Sequence, residues 1–144
     1  MESNLKIAVI GLGYVGFPLA RLFATKHPVI GFDINESRVK ELKAGYDATL
    51  EIDETALTEV LLKDTTNAIG LYCTSVLKEV TNCNYYIVTV PTPVDKNNRP
   101  DLTPLYKSSE TVGKLLKKGD TVIYESTVYP GVTEEECFGL SLQC

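Results

Sequence analysis

The chain has 144 residues, 44% of them hydrophobic, with a formal net charge of -5 at pH 7 and a pI near 4.9. This length predicts one domain with a real core and leaves no room for a second full domain. The acidic balance opposes nonspecific binding to nucleic acid or to an anionic membrane surface, so a small-molecule ligand is expected.

The first half of the chain predicts two strand–helix units. A strand over residues 5–10 leads into an amphipathic helix over 14–26, and a second strand covers 28–33. Asn35 is expected to cap the following helix, and Gly45 is expected to close it.

The second half predicts three more strands separated by helices and one polar loop. A Pro-Thr-Pro sequence ends the fourth strand abruptly. The predicted order is a helix over 54–63, a strand over 68–73, a short helix over 76–81, a strand over 85–90, a loop over 94–100, a helix over 103–117, a strand over 121–125, a loop over 126–131 and a helix over 132–136.

Near-continuous apolar strands that alternate with helices predict an α/β fold with a doubly wound, open parallel sheet of about five strands, the Rossmann arrangement. The predicted domain covers residues 1–137, followed by an atypical tail over 138–144. Ligands of such sheets bind outside the carboxyl ends of the strands. No apolar stretch approaches the roughly 20 residues that cross a bilayer, and no signal-peptide pattern precedes the first strand. These features predict a cytoplasmic protein.

Four cysteines and one histidine occur without any Cys-x-x-Cys pair, a pattern that argues against a zinc site or other metal centre. In a reducing compartment the cysteines are expected to be free thiols that pack as small apolar residues. They are Cys73, Cys83, Cys137 and Cys144.

Three glycines follow the first strand in the spacing Gly11-x-Gly13-x-x-Gly16. Gly11 is expected to make the tight turn, Gly13 to let the backbone approach a pyrophosphate, and Gly16 to let the helix pack closely on the strand. The amides of Tyr14 and Val15 at the start of the helix are then expected to face the phosphates.

Asp33 ends the second strand 17 residues after Gly16, where a dinucleotide fold places a carboxylate for the adenosine ribose hydroxyls. A carboxylate there repels a 2′-phosphate, so NAD is favoured over NADP. Arg38, one turn into the next helix, either accommodates a phosphate or lies along the ribose. The structural alternative is a plain glycine turn, with Asp33 only capping the next helix.

The chain contains, in this order, the segments IAVIGLGYVGFPLA, GFDINESRVKELKAG, VTVPTPVD and YESTVYPGVTEEEC. Together they resemble the N-terminal NAD-binding domain of the nucleotide-sugar 6-dehydrogenases, the family of UDP-glucose and UDP-mannosamine dehydrogenases. The segments VPTPVD…RPDLTPL and ESTVYPG are most similar to those of the bacterial branch that acts on UDP-N-acetylhexosamines for capsule and O-antigen polysaccharide synthesis. The resemblance covers roughly residues 5–137.

The resemblance implies an enzyme that oxidises the sugar C6 alcohol to a carboxylate in two steps. Two hydrides pass to two NAD molecules through a covalent thiohemiacetal on a cysteine. The residues implied at the pyrophosphate are Gly11, Gly13, Tyr14, Val15 and Gly16, with Asp33 and Arg38 at the adenosine ribose. Those implied farther along the cofactor are Val90, Pro91 and Thr92, then Glu125, Ser126 and Thr127 near the nicotinamide ribose. Thr127 matches the family's active-site threonine, which helps position a water.

The family's nucleophilic cysteine lies in a glycine-rich motif beyond the end of this chain, and none of the four cysteines here has that setting. The active-site lysine and asparagine, the long dimerising helix and the UDP-binding domain are absent as well. The resemblance therefore implies a truncated, catalytically inert NAD-binding domain, with the UDP-sugar bound only by the intact enzyme, which is expected as a homodimer.

Two other hypotheses stay open from the sequence. One is a stand-alone NAD-sensing regulatory module without catalysis. The other is a different dehydrogenase family, such as the 3-hydroxyacid enzymes, which share the glycine loop. The PTP and ESTVYPG segments argue against that second hypothesis.

Overall fold

Alternating strands and helices form one parallel sheet in the computed structural model, which describes residues 4–64 and 68–126. Within these residues the strands are β1 (Ile7–Ile10), β2 (Pro28–Phe32), β3 (Gly70–Thr74), β4 (Tyr85–Val88) and β5 (Thr121–Tyr124). Every neighbouring pair is parallel, in the order β3-β2-β1-β4-β5. The strand order reverses at β1, which places a crevice between the carboxyl ends of β1 and β4. The predicted doubly wound fold is confirmed.

Helices cover both faces of the sheet because alternate side chains of the central strand point to opposite sides. In β1, Ile7 and Val9 belong to one buried cluster, while Ala8 and Ile10 belong to the other. The helices are α1 (Gly16–Ala24), α2 (Glu36–Lys43), α3 (Glu54–Thr58) and α4 (Thr103–Gly113). Buried residues of α1, α2 and α3 join the first cluster, and those of α4 join the second. None of the helices in the described parts of the chain is long and apolar enough to cross a bilayer.

Helix α2 has the predicted ends. The Asn35 side chain accepts hydrogen bonds from the backbone N–H groups of Ser37 and Arg38, at 3.1 and 3.3 Å. Gly45 follows the helix with a φ of 84°, a conformation in which glycine has no Cβ penalty. Local capping chemistry therefore fixes both ends of the element that follows Asp33.

Two predicted helices are too long. The predicted helix over 54–63 ends at Thr58, and the chain after it pairs with β3 instead, since Leu71 donates to the Val60 carbonyl at 2.7 Å and Leu62 donates to the Leu71 carbonyl at 2.8 Å. Pairing at the sheet edge thus replaces the last helical turns. The predicted helix over 103–117 ends at Gly113.

The other differences are small. The predicted short helix over 76–81 is a 3₁₀ helix, Leu77–Val80. The fourth strand ends at Val88, before the predicted residue 90, and the third begins at Gly70. Beyond residue 126, the predicted loop, the helix over 132–136 and the tail over 138–144 lie outside the described residues, as does Thr127.

The two described cysteines are buried free thiols. Burial raises the pKa of the Cys73 thiol to about 12 and that of the Cys83 thiol to about 11. Only the thiolate reacts, so we expect iodoacetamide at mildly alkaline pH to leave both cysteines unmodified in the folded chain. In concentrated guanidinium we expect both to be alkylated, because unfolding removes the burial that raises the two pKa values. Mass spectrometry of the peptides that contain each cysteine measures this. Rapid alkylation of Cys73 in the folded chain would contradict its burial.

Candidate functional site

The glycine turn joins β1 to α1 at the carboxyl edge of the sheet. Gly11 has a φ of +101°, which side chains rarely adopt, and its N–H donates to the Phe32 carbonyl at 2.8 Å. A Cβ at Gly16 would lie 1.8 Å from the Gly11 carbonyl oxygen and 2.2 Å from Thr89 Oγ1. No side chain fits at Gly16, so the helix starts directly against the turn.

The surface above the turn is open. A Cβ at Gly13 would meet nothing within 4 Å, and the Tyr14 and Val15 side chains are 69% and 58% exposed. The amide N–H groups of Tyr14 and Val15 donate no hydrogen bond within the described residues, and no side chain caps α1. Free amides at the positive end of a helix favour an anion. This geometry fits a phosphate that approaches over Gly13.

Asp33 lies directly after β2, beside the glycine turn. Its Oδ2 accepts from the Leu12 N–H and its Oδ1 from the Asn35 N–H, both at 2.9 Å. The half-buried carboxylate therefore orders the turn and the start of α2. Each carboxylate oxygen has a further lone pair, which a ribose hydroxyl can use.

Arg38 is packed beneath the turn. Its Nε donates to the Leu12 carbonyl at 2.8 Å, and its guanidinium lies 5.1 Å from the Phe17 ring centroid. Nη1 pairs with Asp47 Oδ1 at 2.8 Å and also with Glu41. Nη2 is the one buried side-chain nitrogen or oxygen in the described part of the chain that has no hydrogen-bond partner. Arg38 thus holds the turn and retains one donor.

Asp47, which the sequence did not single out, anchors Arg38. The residue is 2% exposed. Its carboxylate accepts from the Thr49 N–H and hydroxyl, and from the N–H groups of Glu51 and Ile52. Burial alone would raise the pKa of Asp47, but the bonds from Thr49, Arg38 and the backbone together lower it below its usual value. The carboxylate is therefore held ionised opposite Arg38.

The segment after β4 faces the glycine turn from the other side. The Thr89 hydroxyl donates to the Gly11 carbonyl at 2.8 Å, a contact between residues 78 positions apart that the sequence did not predict. The Ser126 hydroxyl donates to the Val90 carbonyl at 2.9 Å. The structure thus brings the turn, the 90–92 segment and Ser126 to one edge of the sheet. Pro91 and Glu125 are exposed there, while Val90 and Thr92 are half-buried.

Comparison with known proteins gives one family. Residues 5–141 match the sequence profile of the UDP-glucose/GDP-mannose dehydrogenase family, NAD binding domain. The chain is 57% identical over 135 residues to a UDP-N-acetyl-D-glucosamine 6-dehydrogenase of Pseudomonas aeruginosa. The aligned region covers 94% of this chain and 30% of that protein. It is 54% identical over 134 residues to Protein CapL of Staphylococcus aureus, covering 93% of this chain and 30% of that protein.

A solved structure agrees with this match. The UDP-D-ManNAc dehydrogenase from Pyrococcus horikoshii superposes with a TM-score of 0.82 at 34% identity, over 95% of this chain and 32% of that one. The chain spans about 30% of the length of the curated relatives described above.

Proposed function

We infer the function from the family: this chain belongs to the UDP-glucose/GDP-mannose dehydrogenase family, as its NAD-binding domain. On that premise, we propose that it binds NAD across the carboxyl ends of β1, β2 and β4. The intact enzyme is then a nucleotide-sugar 6-dehydrogenase. The observation that carries the proposal is an open surface over Gly13 beside the Asp33 carboxylate, which directly follows the neighbouring strand β2.

The pyrophosphate is proposed to lie over the glycine turn. Gly13 leaves the space that a side chain would fill, and the amides of Tyr14 and Val15 remain available as donors within the described residues. The dipole of α1 adds a favourable interaction with negative charge, typically 0.3–1 kcal/mol. Gly11 and Gly16 contribute indirectly, since they allow the backbone shape that exposes these amides.

The adenosine ribose is proposed to lie against Asp33 and Arg38. Asp33 accepts hydrogen bonds from the ribose hydroxyls, and its charge disfavours a 2′-phosphate. The Arg38 guanidinium already pairs with Glu41 and Asp47, so its charge is compensated and attracts a 2′-phosphate only weakly. Of the two roles that the sequence allows for Arg38, we therefore propose the one along the ribose.

The nicotinamide half is proposed to extend past the ends of β4 and β5. Val90, Pro91 and Thr92 line this path, with Glu125 and Ser126 near the nicotinamide ribose, and Thr127 is proposed to help position a water in the intact enzyme. Bound NAD supplies the hydride acceptor. The role of this chain is to orient the cofactor, because hydride transfer needs donor and acceptor within near-attack distance.

For the intact enzyme we propose a UDP-N-acetylhexosamine as substrate, oxidised at C6 to the uronic acid for capsule or O-antigen polysaccharide synthesis. The support is the likeness to a UDP-N-acetyl-D-glucosamine 6-dehydrogenase.

A homodimer is proposed from the family resemblance alone. The cytoplasm is proposed as the compartment from the sequence expectation alone. The family match over residues 5–141 favours the proposed function over the stand-alone sensor and over the 3-hydroxyacid dehydrogenases.

Isothermal titration of the chain with NAD and with NADP tests the cofactor proposal. We expect NAD to bind with clear preference over NADP, and we expect no NADH to form on addition of UDP-N-acetylglucosamine, because the 144 residues tested span only about 30% of the length of the relatives described above. Absence of binding by NAD, or tighter binding by NADP, would overturn the proposed function.

A further inference from the structure

We infer that Asp47 is a positioning residue for the cofactor: acting through Arg38, it holds the glycine turn in the shape that binds NAD. This inference deepens the proposed function and rests on it. In the described part of the chain, the Asp47 side chain pairs with Arg38 and accepts hydrogen bonds from residues 49–52, so we expect its effect on binding to pass through Arg38.

The peptide groups of the turn are fixed from two directions at Leu12. Its N–H donates to Asp33 Oδ2 at 2.9 Å, and its carbonyl accepts from Arg38 Nε at 2.8 Å. Leu12 lies between Gly11 and Gly13, so these two bonds set the orientation of the backbone at the center of the motif. Glycines on both sides offer little resistance to rotation. The side-chain contacts at Leu12 therefore help to set the shape of the turn, together with the bond from the Gly11 N–H to the Phe32 carbonyl.

The orientation of Arg38 is in turn set by Asp47. Nη1 and Asp47 Oδ1 are 2.8 Å apart, and because the guanidinium is planar and rigid, this contact restricts the directions that Nε and Nη2 can take. The Asp47 side chain is fully buried and its carboxylate accepts four further hydrogen bonds within residues 49–52. It cannot move without breaking several of them. Asp47 is a rigid support for Arg38.

Among the described residues, Glu41 is the other carboxylate that pairs with Arg38, and its side chain is 23% exposed. It lies three residues along the same helix and also accepts from the Ala48 N–H at 2.6 Å. A partly exposed side chain on a flexible stem holds a partner less firmly than a buried carboxylate. We therefore assign the main positioning role to Asp47.

The test compares NAD affinity in wild type, Asp47→Asn, Arg38→Gln and the double variant. We expect Asp47→Asn to weaken NAD binding about tenfold. In the double variant the loss is expected to match that of Arg38→Gln alone, because the two residues act as one unit. Thr49→Val, which removes one hydrogen bond to Asp47 Oδ1, keeps the measurement possible if Asp47→Asn does not fold, and we expect about a threefold loss.

Asp120→Asn is the matched control. Asp120 is also a buried carboxylate paired with a cation, since it lies 3.0 Å from Lys117 Nζ. It directly precedes β5, however, and so lies at the amino ends of the strands, away from the proposed NAD site. We expect it to lower stability and to leave NAD affinity unchanged. Wild-type affinity in Asp47→Asn, or losses from Asp47 and Arg38 that add independently, would overturn the inference. Failure of the wild-type chain to bind NAD would instead overturn the proposed function.

Discussion

Gly16→Ala is expected to destabilise the fold and to abolish NAD binding. The added methyl would lie 1.8 Å from the Gly11 carbonyl oxygen, a backbone atom that no side-chain rotation can move away, and 2.2 Å from Thr89 Oγ1. Overpacking of this kind costs about 3 kcal/mol, at the upper end of the usual range. Urea denaturation followed by circular dichroism measures the loss of unfolding free energy, and calorimetric titration measures NAD binding.

Gly13→Ala is the control that separates stability from binding. A methyl there would meet nothing within 4 Å in the free chain, so we expect an unfolding free energy within about 0.5 kcal/mol of wild type. The same methyl would occupy the space proposed for the pyrophosphate, so NAD affinity is expected to fall at least tenfold, or roughly 1.4 kcal/mol. Unchanged affinity in Gly13→Ala would move the pyrophosphate elsewhere, and wild-type stability in Gly16→Ala would contradict the close packing of the turn.

The sequence predicts most of the sheet because its signals are local. Apolar runs bounded by turn residues locate the strands, and the cap at Asn35 with Gly45 locates α2. The predicted helix over 54–63 fails after Thr58 for a different reason. Its last residues pair with β3, a partner that follows later in the chain, and periodicity within one segment carries no information about such a partner.

The residues of the candidate site also fall into two groups, those with a local signal in the sequence and those without one. The glycines and Asp33 belong to a motif with fixed spacing, so they can be selected from the sequence. Thr89 and Asp47 cannot, since each acts through a residue distant in sequence or through a loop of irregular shape. A signal for Asp47 does exist in its position just after Gly45, where an aspartate commonly orders a turn with its own backbone. That signal predicts a turn and says nothing about Arg38.

The second large effect is expected from Asp33→Asn, which should weaken NAD binding and reduce the preference for NAD over NADP. Hydrogen bonds to a charged acceptor contribute about 1.5–3 kcal/mol, so a loss of roughly 10- to 100-fold in NAD affinity is expected. NADP should lose less, because removal of the carboxylate also removes the repulsion of its 2′-phosphate. Parallel calorimetric titrations with both cofactors give the ratio of the two dissociation constants.

That ratio distinguishes a direct role of Asp33 from a structural one. Asp33 also accepts from the Leu12 and Asn35 N–H groups, and the asparagine amide can replace only one of its two acceptor oxygens, so the turn itself is disturbed. A disturbed turn weakens both cofactors in proportion and leaves the ratio unchanged, whereas loss of the charge beside the ribose changes it. Asp120→Asn, which removes a charge at the amino ends of the strands, should leave the ratio at its wild-type value. An unchanged ratio in Asp33→Asn would mean that Asp33 orders the turn without selecting the cofactor.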